Sequence, residues 1–210
     1  LKNITERYDG YGNSIRRVME QKNREPGIKG VVADIIHVQK DYEVAIETAL
    51  GGSIQNIVTD NEQTAKRMIG FLKKNRFGRA TFLPLSNISG RGGLNQRDVL
   101  SEPGVVGTAN TLVNADKEYS ELVMYLLGRV LVVDNIDHAI AIGKKYRHSL
   151  RMVTIEGESL SPGGSMTGGA FKNNSNLLGR RREIEELERS VGILRKELEE
   201  TQKSIGENRS

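Results

Sequence analysis

The sequence predicts an α+β protein in which two similar pseudo-repeat α/β subdomains cap an antiparallel intramolecular coiled coil. Three observations predict it. Apolar residues near both ends recur at alternating intervals of three and four, two blocks marked by glycine and tyrosine recur 77 residues apart, and a polar Gly/Ser-rich stretch separates those blocks.

Composition sets the bounds. The chain has 210 residues, 37% of them hydrophobic, enough for one substantial domain or two small ones. It has no cysteine, which excludes a disulfide scaffold. No apolar run approaches the ~20 residues that span a bilayer, and there is no charged-then-apolar leader, so a soluble cytosolic protein without a membrane partner is expected. The chain opens at Leu1 inside a helical pattern and stays in heptad register near its end, as an excised piece of a longer protein would. A net charge of +4 is modest, so the distribution of charge matters more than its sum.

The elements follow in order. Residues 1–25 read as an N-terminal coiled-coil stub, with Ile4, Tyr8, Tyr11, Ile15 and Val18 at heptad-like spacing. Gly10 and Gly12 weaken that helix by roughly 1 kcal/mol each, and Pro26-Gly27 ends it. Residues 177–210 read as the C-terminal stub, its seam falling at Ile184, Leu187, Val191, Leu194, Leu198, Thr201 and Ile205. From Leu177 onward eight Glu balance eight Arg/Lys, so these charges imply no acidic or basic partner. Two stripes at opposite ends of one chain pair economically with each other; the competing reading lays each helix on the globular body.

Between the stubs, residues 26–98 form subdomain I with its linker loop and residues 99–176 form subdomain II. Gly30, Tyr42 and Leu50-Gly51 recur as Gly107, Tyr119 and Leu127-Gly128, at a constant offset of 77. After each Leu-Gly an apolar run ends in Asp60 or Asp134, placed as N-caps, and a helical stretch leads to RATFLPL or RMVTI. Each half thus reads as strand, helix, strand, helix, strand, and the boundary falls in the aperiodic SNISGRGGLNQRD.

The segment LSPGGSMTGGAF, Leu160 to Phe171, is the least ordinary. A phosphate-cradling loop needs Gly-Lys-Ser/Thr, and Gly168 is followed by Gly169-Ala170. The LSGGE signature of transporter-type ATPases is interrupted by Pro162, and no Walker motif exists in the chain. A flexible linker and a tight interface strand remain; Met166, Ala170 and Phe171 give the segment apolar content that suits the second.

The run GVVADIIHVQKDYEVAIETALGGSIQNIVTD, then RATFLPL and SPGGSMTGG, flanked by heptads, closely resembles the hinge of bacterial structural maintenance of chromosomes (SMC) proteins over nearly the whole chain. The resemblance implies a hinge that homodimerises through glycine-lined edges, with Gly163, Gly164, Gly168 and Gly169 at the interface. It also implies a role in chromosome condensation and segregation, a cytoplasmic, nucleoid-associated location, and no cofactor in this fragment. ATP, Mg and kleisin-type subunits belong to head domains that the fragment lacks.

Three acid-free stretches carry the positive charge. Residues 63–97 hold Lys66, Arg67, Lys73, Lys74, Arg76, Arg79, Arg91 and Arg97; residues 138–155 hold Lys144, Lys145, Arg147 and Arg151; residues 159–182 hold Lys172 and the Arg180–Arg182 triplet. Such stretches either solubilise a surface or bind phosphate backbone non-specifically. SMC hinges contact DNA near the coiled-coil junction, and with that resemblance Lys73, Lys74, Arg147, Arg151 and Lys172 are the expected DNA contacts, with the triplet behind them. Ten aromatics and no Trp offer no stacking platform. His37, His138 and His148 are scattered, so no metal site is expected, and no nucleophile elbow or dinucleotide fingerprint marks a catalytic residue. The rival reading is a monomeric α/β nucleic-acid-binding domain.

Overall fold

A computed structural model of the chain describes Tyr8 and residues 11–90, 92–170 and 177–209. The first half runs α1 (Asn13–Met19), β1 (Ile28–Val31), α2 (Val32–Ile35), β2 (His37–Val38), α3 (Glu43–Leu50), β3 (Ile57–Thr59), α4 (Glu62–Asn75) and β4 (Phe82–Pro84). The second runs β5 (Val105–Thr108), β6 (Val113–Asn114), α5 (Ser120–Leu127), β7 (Val130–Val133), α6 (Ile136–Lys145) and β8 (Arg151–Thr154). A hairpin, β9 (Ser159–Leu160) and β10 (Met166–Thr167), and the long α7 (Leu177–Glu207) complete the chain.

The same strand order appears in both halves. β1 lies antiparallel to β3 and β4 parallel to β3; β5 lies antiparallel to β7 and β8 parallel to β7. Parallel neighbours need a crossover, which α4 and α6 supply. Each antiparallel pair carries a bulge before a glycine, Gly30 or Gly107. Strand β7 is buried along its whole length, the reason its sequence VLVV is apolar without alternation. Beyond the five expected elements, each half holds a short strand after its first turn. These two, β2 and β6, pair antiparallel with each other, His37 opposite Asn114 and Val38 opposite Val113, and so join the halves.

Both crossover helices start one residue later than the sequence suggests. Asn61 caps α4 by accepting from the Gln63 and Thr64 amides, and Asn135 caps α6 by accepting from His138 N–H. The expected caps, Asp60 and Asp134, instead close a turn before each half. Asp60 N–H donates to Gly27 O at 2.9 Å and Asp134 N–H to Gly104 O at 2.8 Å. A Cβ at Gly27 would meet Asp60 and Thr64, and one at Gly104 would meet Asp134 and His138, so a side chain at either site would displace those groups. The repeated Glu-Pro-Gly at 25–27 and 102–104 is the sequence signal of this turn.

One apolar core spans both halves and includes Ile46, Val58, Leu122, Val132 and Leu178. A smaller one gathers Leu131, Val133, Ile142, Met152 and Leu160 beneath the hairpin.

The described part of the N-terminal stub belongs to the body rather than to a rod. Tyr8, Tyr11, Ile15, Val18 and Met19 are core residues. Asn13 and Ser14 donate to the carbonyls of Phe77 and Arg79, and the Arg17 guanidinium lies 4.8 Å from the Phe77 ring centroid. Residues 1–7, which include Ile4 of the expected seam, lie outside the described residues. On α7, Leu187, Val191, Leu194, Leu198 and Ile205 are exposed, and nothing among the described residues covers them.

Candidate dimerisation edge and helix anchor

The glycine segment folds as the last two strands of the five-stranded sheet, in the order β10, β9, β8, β7, β5. Leu160 pairs with Met152 on one side and Met166 on the other. The turn closes through Ser161 N–H to Ser165 O (2.9 Å) and Gly164 N–H to Ser161 O (3.0 Å), and Gly163 N–H ties it to His148 O at 2.8 Å. Gly163 and Gly164 take φ of +95° and +103°, and Gly169 takes +134°, values that side chains rarely adopt. Around Gly163 and Gly169 a Cβ would meet nothing within 4 Å; at Gly168, outside that φ range, it would meet Glu158 Cγ at 3.2 Å. Backbone conformation therefore favours glycine at three of the four expected interface positions, two in the turn and one after β10. From Pro162 to Ala170 every residue is exposed, and among the described residues no strand pairs with the outer edge of β10.

Among the described residues the first half has no such extension; its sheet stops at β4. Ile57 N–H donates to Thr81 O (3.0 Å) and Leu85 N–H to Thr59 O (2.8 Å), which turns the backbone groups of Phe82 outward, whereas Pro84 O accepts from the Asn87 and Ile88 amides at 3.0 and 3.1 Å. Pro84 has no N–H to leave unpaired there.

The root of α7 is a second built feature. Leu177 and Leu178 are buried, and Leu177 N–H donates to Glu47 Oε1 at 3.1 Å. Arg181 Nε lies 3.3 Å from both Asp34 Oδ1 and Glu185 Oε1, and Arg182 bonds Glu43 and reaches Glu186 at 3.2 Å. Tyr8 donates its hydroxyl to Asp34 Oδ2 at 2.7 Å. Burial, helped by the neighbouring Glu43 charge, pushes the Glu47 carboxyl up to about 7 against the lowering effect of the Leu177 amide. Two arginines of the triplet, Arg181 and Arg182, are thus engaged in fastening α7 instead of standing free for DNA.

The expected DNA contacts are dispersed. Lys73 and Lys74 are exposed in the last turn of α4, and Arg147 is exposed in the turn after α6 with φ +57°. None of the three makes an ion pair among the described residues, whereas Arg67 pairs with Glu25 and Lys145 with Glu102. Arg151 is half-buried and donates to Ala49 O at 2.9 Å, a bond that ties β8 to α3. Lys172 lies outside the described residues. Among the described residues no group of three His, Asp or Glu side chains could hold a metal, and no helix is long and apolar enough to cross a membrane.

An α/β body with an open sheet edge on one half and a long helix fastened to the other defines a rod-bearing module. The chain belongs to the SMC hinge family: residues 25–143 match the family model of the SMC proteins flexible hinge domain. It is 42% identical over 201 residues to the chromosome partition protein Smc of Bacillus subtilis, covering 90% of this chain and 17% of that protein. The structure resembles the Geobacillus stearothermophilus SMC hinge domain, solved as an asymmetric dimer, with a TM-score of 0.81 and 39% identity over 90% of this chain and 77% of the other. It also resembles the Pyrococcus furiosus Smc hinge domain with an extended coiled coil, with a TM-score of 0.64 and 32% identity over 88% and 66% of the two chains. The chain thus spans about a sixth of its curated relatives' length.

Proposed function

We propose that this chain is the homodimerising hinge of a chromosome partition protein. Two copies join by laying β10 of each antiparallel along β4 of the other, so that a twofold axis closes both contacts. The observation that carries this reading is the open outer edge of β10, flanked by Gly163, Gly164, Gly168 and Gly169, in a chain whose other half-sheet stops at β4. Strand addition supplies main-chain hydrogen bonds, and positions without side chains let two backbones approach. The equivalent strand β8 already accepts an antiparallel neighbour on that side, β9.

In this reading the two halves are a pseudo-repeat that caps a coiled coil. The exposed seam of α7 is covered by an antiparallel helix of the same protein, and the role of the hinge is mechanical. ATP and Mg chemistry and kleisin-type subunits belong to heads elsewhere in the protein, which works in the cytoplasm on the nucleoid. DNA is held non-specifically through Lys73, Lys74, Arg147 and Lys172. Arg151 contributes less, because its guanidinium already donates to Ala49 O.

Sedimentation equilibrium tests the reading. A dimer is expected that becomes monomeric when all four glycines are replaced by Ala. A native chain that stays monomeric at high concentration would leave the monomeric nucleic-acid-binding domain in its place.

A further inference from the structure

Among the described residues most of the exposed large apolar side chains lie along α7; on the body they are Ile69, Leu100, Val106 and Met166. Two of these four border the edges that the proposed dimer brings together. Met166, 51% exposed, lies on β10, and Ile69, 47% exposed, lies on α4. Ile69 lines a cleft of about 390 Å³ with Leu72, Lys73, Gly78, Arg79 and Ala80, directly before β4.

Sheet geometry decides whether the two can meet. The pairs β3–β4 and β7–β8 are each joined through a helix, and such crossovers are right-handed in about 98% of cases. With β10 of one copy antiparallel to β4 of the other, the two sheets become one. In that sheet α4 of one copy and α6 of the second copy lie on the same face; a parallel arrangement would put them on opposite faces. Met166 stands on the α6 face of its own sheet, in the row Met152, Leu160, Met166, beside Ile140 and Gly143. It therefore reaches the other copy on the α4 face, where the cleft opens.

We infer that Met166 is the apolar anchor of the dimer, docking into the Ile69–Leu72–Ala80 cleft of a second copy; this rests on the dimer reading above and adds the residues that set its register. A flexible thioether fills an irregular groove of this kind without demanding one shape. The lysine and arginine at the cleft rim place their alkyl stems along the incoming side chain and their charges in water. A one-residue slip of β10 would turn Met166 to the opposite face, so the anchor selects one pairing.

The chain has no cysteine, which makes cross-linking clean. Copies carrying M166C are mixed with copies carrying I69C and treated with a short bis-maleimide, with the oligomeric state followed by sedimentation in parallel. A covalent M166C–I69C dimer is expected from the mixture, with little product from either variant alone. A dimer by sedimentation that gives no mixed cross-link, or one in which M166C links to itself, overturns the anchor and leaves dimerisation standing. A monomer by sedimentation overturns both. Independently, M166D is expected to weaken self-association roughly tenfold or more, with I69K in the same chain recovering part of the loss; association unchanged by M166D also overturns the anchor.

Discussion

The two halves share an order of strands and helices but are put to different uses. The first fastens α7 through Asp34, Glu43 and Glu47; at the places 77 residues on, the second has Thr111, Ser120 and Met124. The second lengthens its sheet by a hairpin at β8, and the first stops at β4. In the second half the linker lies over α5, where Gly90 N–H donates to Glu121. Two frames with the same order of apolar strands and capped crossovers thus differ in a few charges and glycines, which decide what each half holds.

The comparison can be broken most severely at the hairpin. Replacing Gly163, Gly164, Gly168 and Gly169 together by Ala strains three positive-φ positions at about 1 kcal/mol each. The dimer dissociation constant should rise by roughly 100-fold or more, read by sedimentation equilibrium. Gly168→Ala alone sharpens the test, because its backbone is outside the strained region and only Glu158 must yield. Unchanged association in the fourfold variant would remove the hairpin from the interface.

Next comes the anchor of α7. Arg182→Ala strips the counter-charge from Glu43, whose side chain is only 5% exposed, and should cost about 2 kcal/mol of stability in thermal denaturation. Adding Glu43→Leu should recover much of that loss. An unaltered melting temperature for Arg182→Ala would show that the ion pair does not fasten the helix.

Charge reversal at Lys73 and Lys74 should lower the affinity for duplex DNA about tenfold near 0.1 M salt and flatten the salt dependence by about two phosphate contacts. Arg147→Glu, at the matching helix end of the second half, should act in the same direction more weakly. Arg151→Glu is expected to lower thermal stability as well, through its bond to Ala49 O. Equal DNA binding by native and reversed chains would assign these lysines to solubility.

The shared frame makes a matched pair. Asn61→Ala and Asn135→Ala each remove an N-cap and should each cost about 1 kcal/mol; a large inequality would show that the two crossovers are not equivalent in energy.

The buried carboxylate under α7 gives a pH profile. Glu47, raised by burial from its ordinary 4.5 to about 7, favours the proton in the folded chain. Its contribution to stability is fully present below 4.5 and is lost as pH rises through 7. Glu47→Gln keeps an acceptor for Leu177 N–H and carries no charge, so the variant should melt higher than native at pH 8 and show a flatter profile between 4.5 and 7. A native-like slope in the variant would place the titration elsewhere.

Much of the frame was legible along the chain. The offset between Gly30 and Gly107, the apolar runs ending at Asp60 and Asp134, and the polar stretch before residue 98 all match the order of strands in the two halves. The caps were misread by one residue because Asp and Asn are both good caps: the asparagine takes the first-turn amides, while the Asp60 and Asp134 carboxylates bond the Thr64 and His138 side chains and their amides bond Gly27 and Gly104. Tyr11, Ile15 and Val18 show a spacing that any amphipathic helix shares, so the pattern could not say whether a rod or a body covers it. The Arg180–Arg182 triplet read as free charge because the acids that hold it, Asp34 and Glu43, stand far away in sequence.

By itself the sequence determined what is local: which stretches are apolar, where the chain must break, that a pattern of glycine and tyrosine recurs 77 residues apart, and that glycine pairs bracket the three residues 165–167. Only the tertiary structure decided that β2 and β6 bind the halves together, that the first half fastens α7, and that β4 and β10 are the last strands of their sheets among the described residues. The reason is physical. Periodicity and backbone φ act over a few residues, whereas an ion pair across 139 residues, Glu43 with Arg182, exists only once the chain has folded.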